Sequence, residues 1–174
     1  MSVQTRLAKA NDAVLVTDIV CLSIRELCVS DHHNDPATLD RWLANKTPAN
    51  FESWIQNQDN HCVVGEIDNH LCGVGLLHSS GEIRLFYLAP GTQRHGLGAA
   101  IHAALEEHAH AWGLQSLHLQ STDAARPFYE AMGYVASAPR NHLHGRLWCY
   151  PYRKWLQPCP AHMQAPLGST PGTP

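Results

Sequence analysis

The chain has 174 residues, 44% of them hydrophobic and 16% charged, with a net charge of −3 when histidine is neutral. That length suffices for one domain with a real core, and the mild acidity excludes a nucleic-acid binder working through a basic surface. No apolar run approaches the ~18 residues of a membrane span, and "MSVQTRLAKAND" lacks the hydrophobic segment of a signal peptide, so a cytoplasmic protein is expected.

"TRLAKA" (5–10) predicts a short strand leading to Asn11 as a helix cap, with Asp12 in the first turn. Val16, Val20, Ile24 and Leu27 then recur on one helical face. Two more starts follow: Asp35 before Pro36, with Leu39, Trp42 and Leu43 inward, and Thr47 before Pro48, with Phe51, Trp54 and Ile55 inward. Trp42 and Trp54 are read as core. The middle switches to period two. "HCVVGEI", "LCGVGLLH" and "EIRLFYLAP", parted by "DNH" and "SSG", predict an antiparallel meander.

After a glycine-rich turn, Leu97, Ile101, Ala104, Leu105 and Trp112 mark a helix stopped by Gly113. "LQSLHLQS" is the next strand, "DAARPFYEAMGY" a short helix closed by Gly133, and "GRLWCYPYRKWL" the last strand. Its open edges near "RLWCYPY" would allow a homodimer. Residues 1–156 therefore form one mixed α/β domain. The tail, 157–174, is Pro/Gly-rich and aperiodic, and is expected to be disordered.

Six cysteines show no CxxC pair and are read as reduced, buried side chains rather than redox or metal ligands. The thirteen histidines include His108-x-His110 and His142-x-His144. Neither pair has a carboxylate or cysteine at zinc-like spacing, so solvated or packed histidines are expected and no metal.

The turn "APGTQRHGLGAA" (89–100) carries the chemistry. A strand entering a Gly-x-Gly turn and then a helix aims unpaired N–H groups and a positive helix end at one point, which suits a diphosphate. Gly96 and Gly98 let backbone approach closely, and Arg94 adds charge. A plain strand-to-helix turn would look the same, and the common nucleotide loops are excluded because Gly-Lys-Ser/Thr is missing and Ile101 stands where a third glycine would be needed.

About 30 residues later comes "FYEAMGY". The two stretches together resemble the GNAT superfamily of N-acetyltransferases. Gln93-Arg94-His95-Gly96-Leu97-Gly98 fits its acyl-CoA motif, Gln/Arg-x-x-Gly-x-Gly/Ala. Thr122, Ala125, Phe128, Tyr129, Gly133 and Tyr134 fall on its second signature. The likeness runs from the first strand to about Trp155. One common family feature, an asparagine near the start of the second signature, is replaced by Ala124.

The resemblance implies a mostly antiparallel central sheet with a splayed parallel pair, Ile83–Leu88 beside Ser116–Ser121, flanked by helices. Acetyl-CoA would lie in that splay. Amides of Arg94, His95, Gly96, Leu97, Gly98 and Ala99 would hold its diphosphate, and Tyr87, Leu88 and Ala89 would pair with the pantetheine arm. Gln93, Thr122, Ala125, Phe128 and Tyr129 complete the implied cofactor contacts. Pro90, lacking an N–H, ends strand pairing there on its own account.

The resemblance further assigns the Leu88 amide to the thioester carbonyl and Tyr129 to the departing sulfur as acid. Phe128 is otherwise a core residue. Glu82, fourteen residues before Gly96, matches the base of the histone-acetylating branch, yet reads equally as an exposed glutamate after a Ser-Ser-Gly turn. His118 is a second candidate base. No cysteine has an activating partner, which favours direct transfer over an acyl-enzyme.

For the acceptor, Asp31, His32, His33 and Asp35 could attract a cationic amine or simply form a solvated, helix-capping loop. A small-molecule amine is the first expectation and a peptide or protein amine the second. A non-catalytic acyl-CoA-binding module is the alternative from another class, with a metal-binding protein behind it.

Overall fold

A computed structural model describes residues 1–157, so the predicted tail lies almost wholly outside the described residues. Strand β1 (Val3–Leu7) is followed by a 3₁₀ turn (Ala10–Asp12) and four helices: α1 (Ala13–Leu27), α2 (Val29–His32), α3 (Pro36–Leu43) and α4 (Pro48–Gln56). The meander is β2 (Asn60–Ile67), β3 (His70–His78) and β4 (Ile83–Leu88). Then come α5 (Leu97–Ala111), β5 (Ser116–Ser121), α6 (Arg126–Ala131), β6 (Val135–Ala136), β7 (Asn141–His144) and β8 (Leu147–Trp155).

The strands form two antiparallel sheets, β1-β2-β3-β4 and β5-β8-β6, with β7 added to β8. This is the mostly antiparallel arrangement, flanked by helices, that the resemblance implied. One core, with Val16, Val20, Ile24 and Phe51, fills the side under α1 and α4. A second, with Leu105, Leu117, Leu119, Tyr129 and Tyr134, fills the side under α5 and α6. Helix α5 can sit close because the strands beneath it are bare. A Cβ on Gly75 would come 2.6 Å from Ile101 Cγ2, a branched side chain with little freedom to move.

Several expectations are corrected. The first strand ends at Leu7 rather than running to Ala10. Asn11 lies inside the 3₁₀ turn rather than capping α1, and the neighbouring Asp12 carboxylate does the local work. It accepts from Lys9 N at 2.7 Å and from Arg6 at 2.8 Å. Asp35 and Thr47 do cap α3 and α4 through Thr38 N and Asn50 N. The three predicted helices are four, because "VSDH" makes one extra turn ended by His33 in the left-handed region. Strands β6 and β7 have no period-two apolar pattern and were not foreseen. They pair with β8, which meets β5 over Tyr150–Trp155 on one side and β6 and β7 on the other, so much of "RLWCYPY" is paired.

The five described cysteines, 21, 28, 62, 72 and 149, are free thiols. Among the described residues no three His, Cys, Asp or Glu side chains gather as a metal site, and no helix is long and apolar enough to cross a membrane.

Two histidines are held neutral by packing. His61 stacks on His108 with centroids 3.5 Å apart, and burial pushes its pKa down to about 4. His102, 3% exposed, bonds Tyr134 Oη through Nε2 at 3.0 Å and is also held to about 4, mainly by burial. Between pH 6.5 and 4 the unfolded chain takes up protons at these sites and the native chain does not. Stability is therefore complete above pH 6.5 and falls as the pH drops, by at most about 1.4 kcal/mol per pH unit for each histidine. Urea midpoints between pH 7.5 and 5 should decline, and less steeply for His102→Gln. Parallel profiles for the two proteins would remove His102 from this role.

Candidate active site

The site is a fork between strands. β4 and β5 run parallel and meet at a single bridge, Glu82 with His118, where His118 N donates to Gly81 O at 2.9 Å. Beyond it β4 stays on β3 and β5 stays on β8, so the two diverge. A register shift between Leu76 and Leu77, opposite Ile83 and Leu85, bulges β4 near the root and bends it away. The fork opens into a cleft of about 760 Å³.

Strand parity decides which backbone groups face this gap. Ala89 N donates to Cys72 O of β3 at 2.7 Å, so Ala89 and Tyr87 point their amides at β3. Leu88, between them, points its N–H and C=O into the fork, and so does Phe86 two residues nearer the root. Phe86 carried no signal of its own in the sequence beyond its place in an alternating strand. The Tyr87 side chain packs on the α1 side of β4.

At the mouth, the turn is shaped from within. Gln93 Oε1 accepts from Gly91 N at 3.0 Å, while its Nε2 and Thr92 Oγ1 donate to Ala89 O at 3.0 and 2.7 Å. Gln93 thus spends its amide group on the turn itself. Arg94 and Gly96 lie in the left-handed region, at φ 65° and 81°. Such a backbone turns consecutive N–H groups to one side as a concave anion nest, and a non-glycine residue held there is uncommon.

The amides from Gln93 to Ala99 make no hydrogen bond among the described residues. The first bond of α5 is Ala100 N to Gly96 O. Gly96 has open space where a Cβ would be, whereas a Cβ on Gly98 would sit 3.1 Å from Phe128. Gln93, Arg94, Gly96, Gly98 and Ala99 line the cleft; Leu97 is instead buried in the core and His95 is exposed.

The opposite wall is Thr122, Ala125, Phe128 and Tyr129, with Pro127 and Ala131. Thr122 Oγ1 accepts from Ala125 N at 3.2 Å. Phe128 is both half-buried packing and cleft wall. Tyr129 is 6% exposed, with its ring against Phe86, Phe128 and Tyr134. Burial drives its phenol above the ordinary tyrosine value. Its hydroxyl has no hydrogen-bond partner among the described residues.

Glu82 and His118 stand at the root and do not line the cleft. Glu82 Oε2 accepts from Arg84 Nε at 2.9 Å. His118 is half-buried and pushed below the usual imidazole value, first by burial and then by Arg153, with Glu82 opposing. Sequence reasoning missed Arg84, Gln120, Ser23 and Cys28, all of which line the cleft. Leu27, expected on the core face of α1, is half-buried there too. Burial pushes the Cys28 thiol up to about 12.

The loop "SDHHND" is solvated only in part: Ser30, His33 and Asn34 are exposed, while Asp31 and His32 are buried. Asp31 is 5% exposed, and its carboxylate accepts from Asp123 N at 2.6 Å and Ala124 N at 3.3 Å, bracing the turn after β5. Burial nevertheless raises its pKa. His32 is fully buried between Ile24 O and Asn34 N. Asp35 is on Thr38. Only His33 of the four is exposed, at the end of α2.

A family model described as an acetyltransferase (GNAT) domain matches residues 29–156. The chain belongs to the GNAT acetyltransferase family. No curated protein matches it. Among solved structures it is similar to a GCN5-related N-acetyltransferase from Rhodopseudomonas palustris, at 23% identity and a TM-score of 0.80, covering 90% of this chain and 97% of that one. It is also similar to the PaiA N-acetyltransferase of Thermoplasma acidophilum in complex with coenzyme A, at 16% and 0.76, covering 90% and 100%. An aminoglycoside 6'-N-acetyltransferase complexed with coenzyme A follows at 14% and 0.68, covering 90% and 99%.

The brace at Asp31 has a measurable consequence. Asp31→Ala leaves two backbone amides without an acceptor and should lower unfolding free energy by about 2 kcal/mol in urea. Asp31→Asn, which keeps one acceptor oxygen, should lose less. An unchanged midpoint in both variants contradicts the brace.

Proposed function

We propose that the chain is a cytoplasmic enzyme that moves an acetyl group from acetyl-CoA to the primary amine of a small molecule, by direct transfer with both substrates bound. The observation that carries this reading is the row of free amides from Arg94 to Ala99 at the mouth of an apolar fork. A diphosphate satisfies those amides, and the fork admits a narrow arm. The coenzyme A complexes of structurally similar proteins support the same donor.

Bound there, acetyl-CoA supplies an activated thioester. The chain's residues do the rest. The inward N–H of Leu88 donates to the carbonyl oxygen as negative charge develops, a contact typically worth about 3 kcal/mol. Phe86 offers a second amide of the same parity. Tyr129, kept protonated by burial, donates to the departing sulfur, and its dry surroundings strengthen that bond. Tyr134, fixed by His102, holds the Tyr129 ring from the side away from the cleft.

Because no carboxylate or imidazole among the described residues lines the cleft, Glu82 acts as base through water at the root rather than by contact. The Cys28 thiol, pushed up to about 12, is a poor nucleophile at neutral pH, in line with direct transfer.

Tyr129→Phe should lower kcat by about 10- to 1000-fold while calorimetric affinity for coenzyme A stays within about twofold. Wild-type turnover in this variant removes the acid role. Release of coenzyme A with no amine in a broad library, despite tight cofactor binding, would favour a non-catalytic acyl-CoA-binding module.

A further inference from the structure

The root of the fork carries a charge the mechanism does not use. Arg84 and Gln120 stand two residues beyond the Glu82–His118 bridge, one on each strand, and both line the cleft. Arg84 is four residues, about 13 Å of strand, from Leu88. It is therefore well separated from Arg94, which belongs to the turn at the mouth. Its Nε is fixed by Glu82 at 2.9 Å, and its side chain is 45% exposed. Neither terminal nitrogen, Nη1 nor Nη2, has a partner among the described residues. Glu82 thus orients the guanidinium and leaves its two-pronged end free, the edge that takes a carboxylate through two parallel hydrogen bonds.

The surroundings agree in sign. Among the described residues no aspartate, glutamate or histidine side chain lines the cleft. Asp31, the buried acid of α2, is committed to the Asp123 and Ala124 amides. At the root itself Arg84 and Arg153 face one carboxylate, Glu82, and a histidine, His118, whose proton affinity is lowered. A polycationic acceptor would bring like charge to this end with nothing to receive it.

Resting on the transferase reading above, we propose that the acceptor carries a carboxylate beside its amine, as an α-amino acid does, and that Arg84 binds it. Arg84 then takes the carboxylate of a zwitterion, and Glu82, behind it at the root, reaches the ammonium only through water. Gln120 offers an uncharged donor and acceptor from the other strand.

The test uses the full chain with saturating acetyl-CoA, following release of coenzyme A. The acceptors are the twenty L-amino acids, each beside its α-carboxamide and its decarboxylated amine, with spermidine and kanamycin as polycations. Calorimetry with the chain holding coenzyme A gives acceptor affinity independently of turnover. For the best acceptor, the acid should exceed its amide by at least about tenfold in both kcat/KM and affinity. Arg84→Gln should erase that preference, Arg84→Lys should keep part of it, and coenzyme A affinity should not change in either.

Amides, decarboxylated amines or polycations used as well as the acids overturn the inference and leave the transferase reading standing. So does a preference that survives Arg84→Gln. Tight coenzyme A binding with release from no amine at all overturns both.

Discussion

Two adjacent strands that cannot stay paired set everything at this site. β4 is tied along its length to β3, and β5 to β8, so the contact at Glu82 and His118 is the last place where both sheets are satisfied together. Past it, each strand has unpaired backbone on its inner edge, an arrangement that costs stability if buried and left without partners. The fork leaves those groups on the wall of a cleft, where a ligand can meet them. Parity then selects Phe86 and Leu88, and excludes Tyr87 and Ala89, as the residues whose amides are offered.

The same economy governs the turn that follows. Gln93 and Thr92 use their side chains to satisfy the carbonyl and amide of the turn's own first residues. This leaves the later amides, through Ala99, with no partner among the described residues. Helix α5 adds the positive end of its dipole at the same point. Asp31 fixes the facing loop with its buried carboxylate, so both lips of the cleft are held by groups outside it. Tyr129 is rigid for a similar reason, wedged among three aromatic rings.

What was legible in the sequence is what has a short-range signature. Pro36 and Pro48 behind capping side chains marked α3 and α4, and Gly96, Gly113 and Gly133 marked turns that do take positive φ. The motif around Gly96 located the mouth of the cleft, and Tyr129 does stand on its wall. What depends on long-range pairing was not legible. Nothing local shows that Glu82 meets His118 across 36 residues of chain, or that this places Arg84 and Gln120 inside the cleft. Asp31 looked like a free acid in a polar loop because its partners, the amides of Asp123 and Ala124, are about 90 residues away. β6 has two residues and β7 four, too few to show a period, so their pairing with β8 left no pattern to read.

The central claim concerns backbone amides, and amides can be watched directly. Titrating the ¹⁵N-labelled chain with coenzyme A, free of any acceptor, reads each one separately. The resonances of Arg94 through Ala99, with Phe86 and Leu88, should move most, and their exchange with solvent should slow at saturation. If these amides stay unchanged while others respond, or if no amide responds at millimolar coenzyme A, the fork does not hold the cofactor.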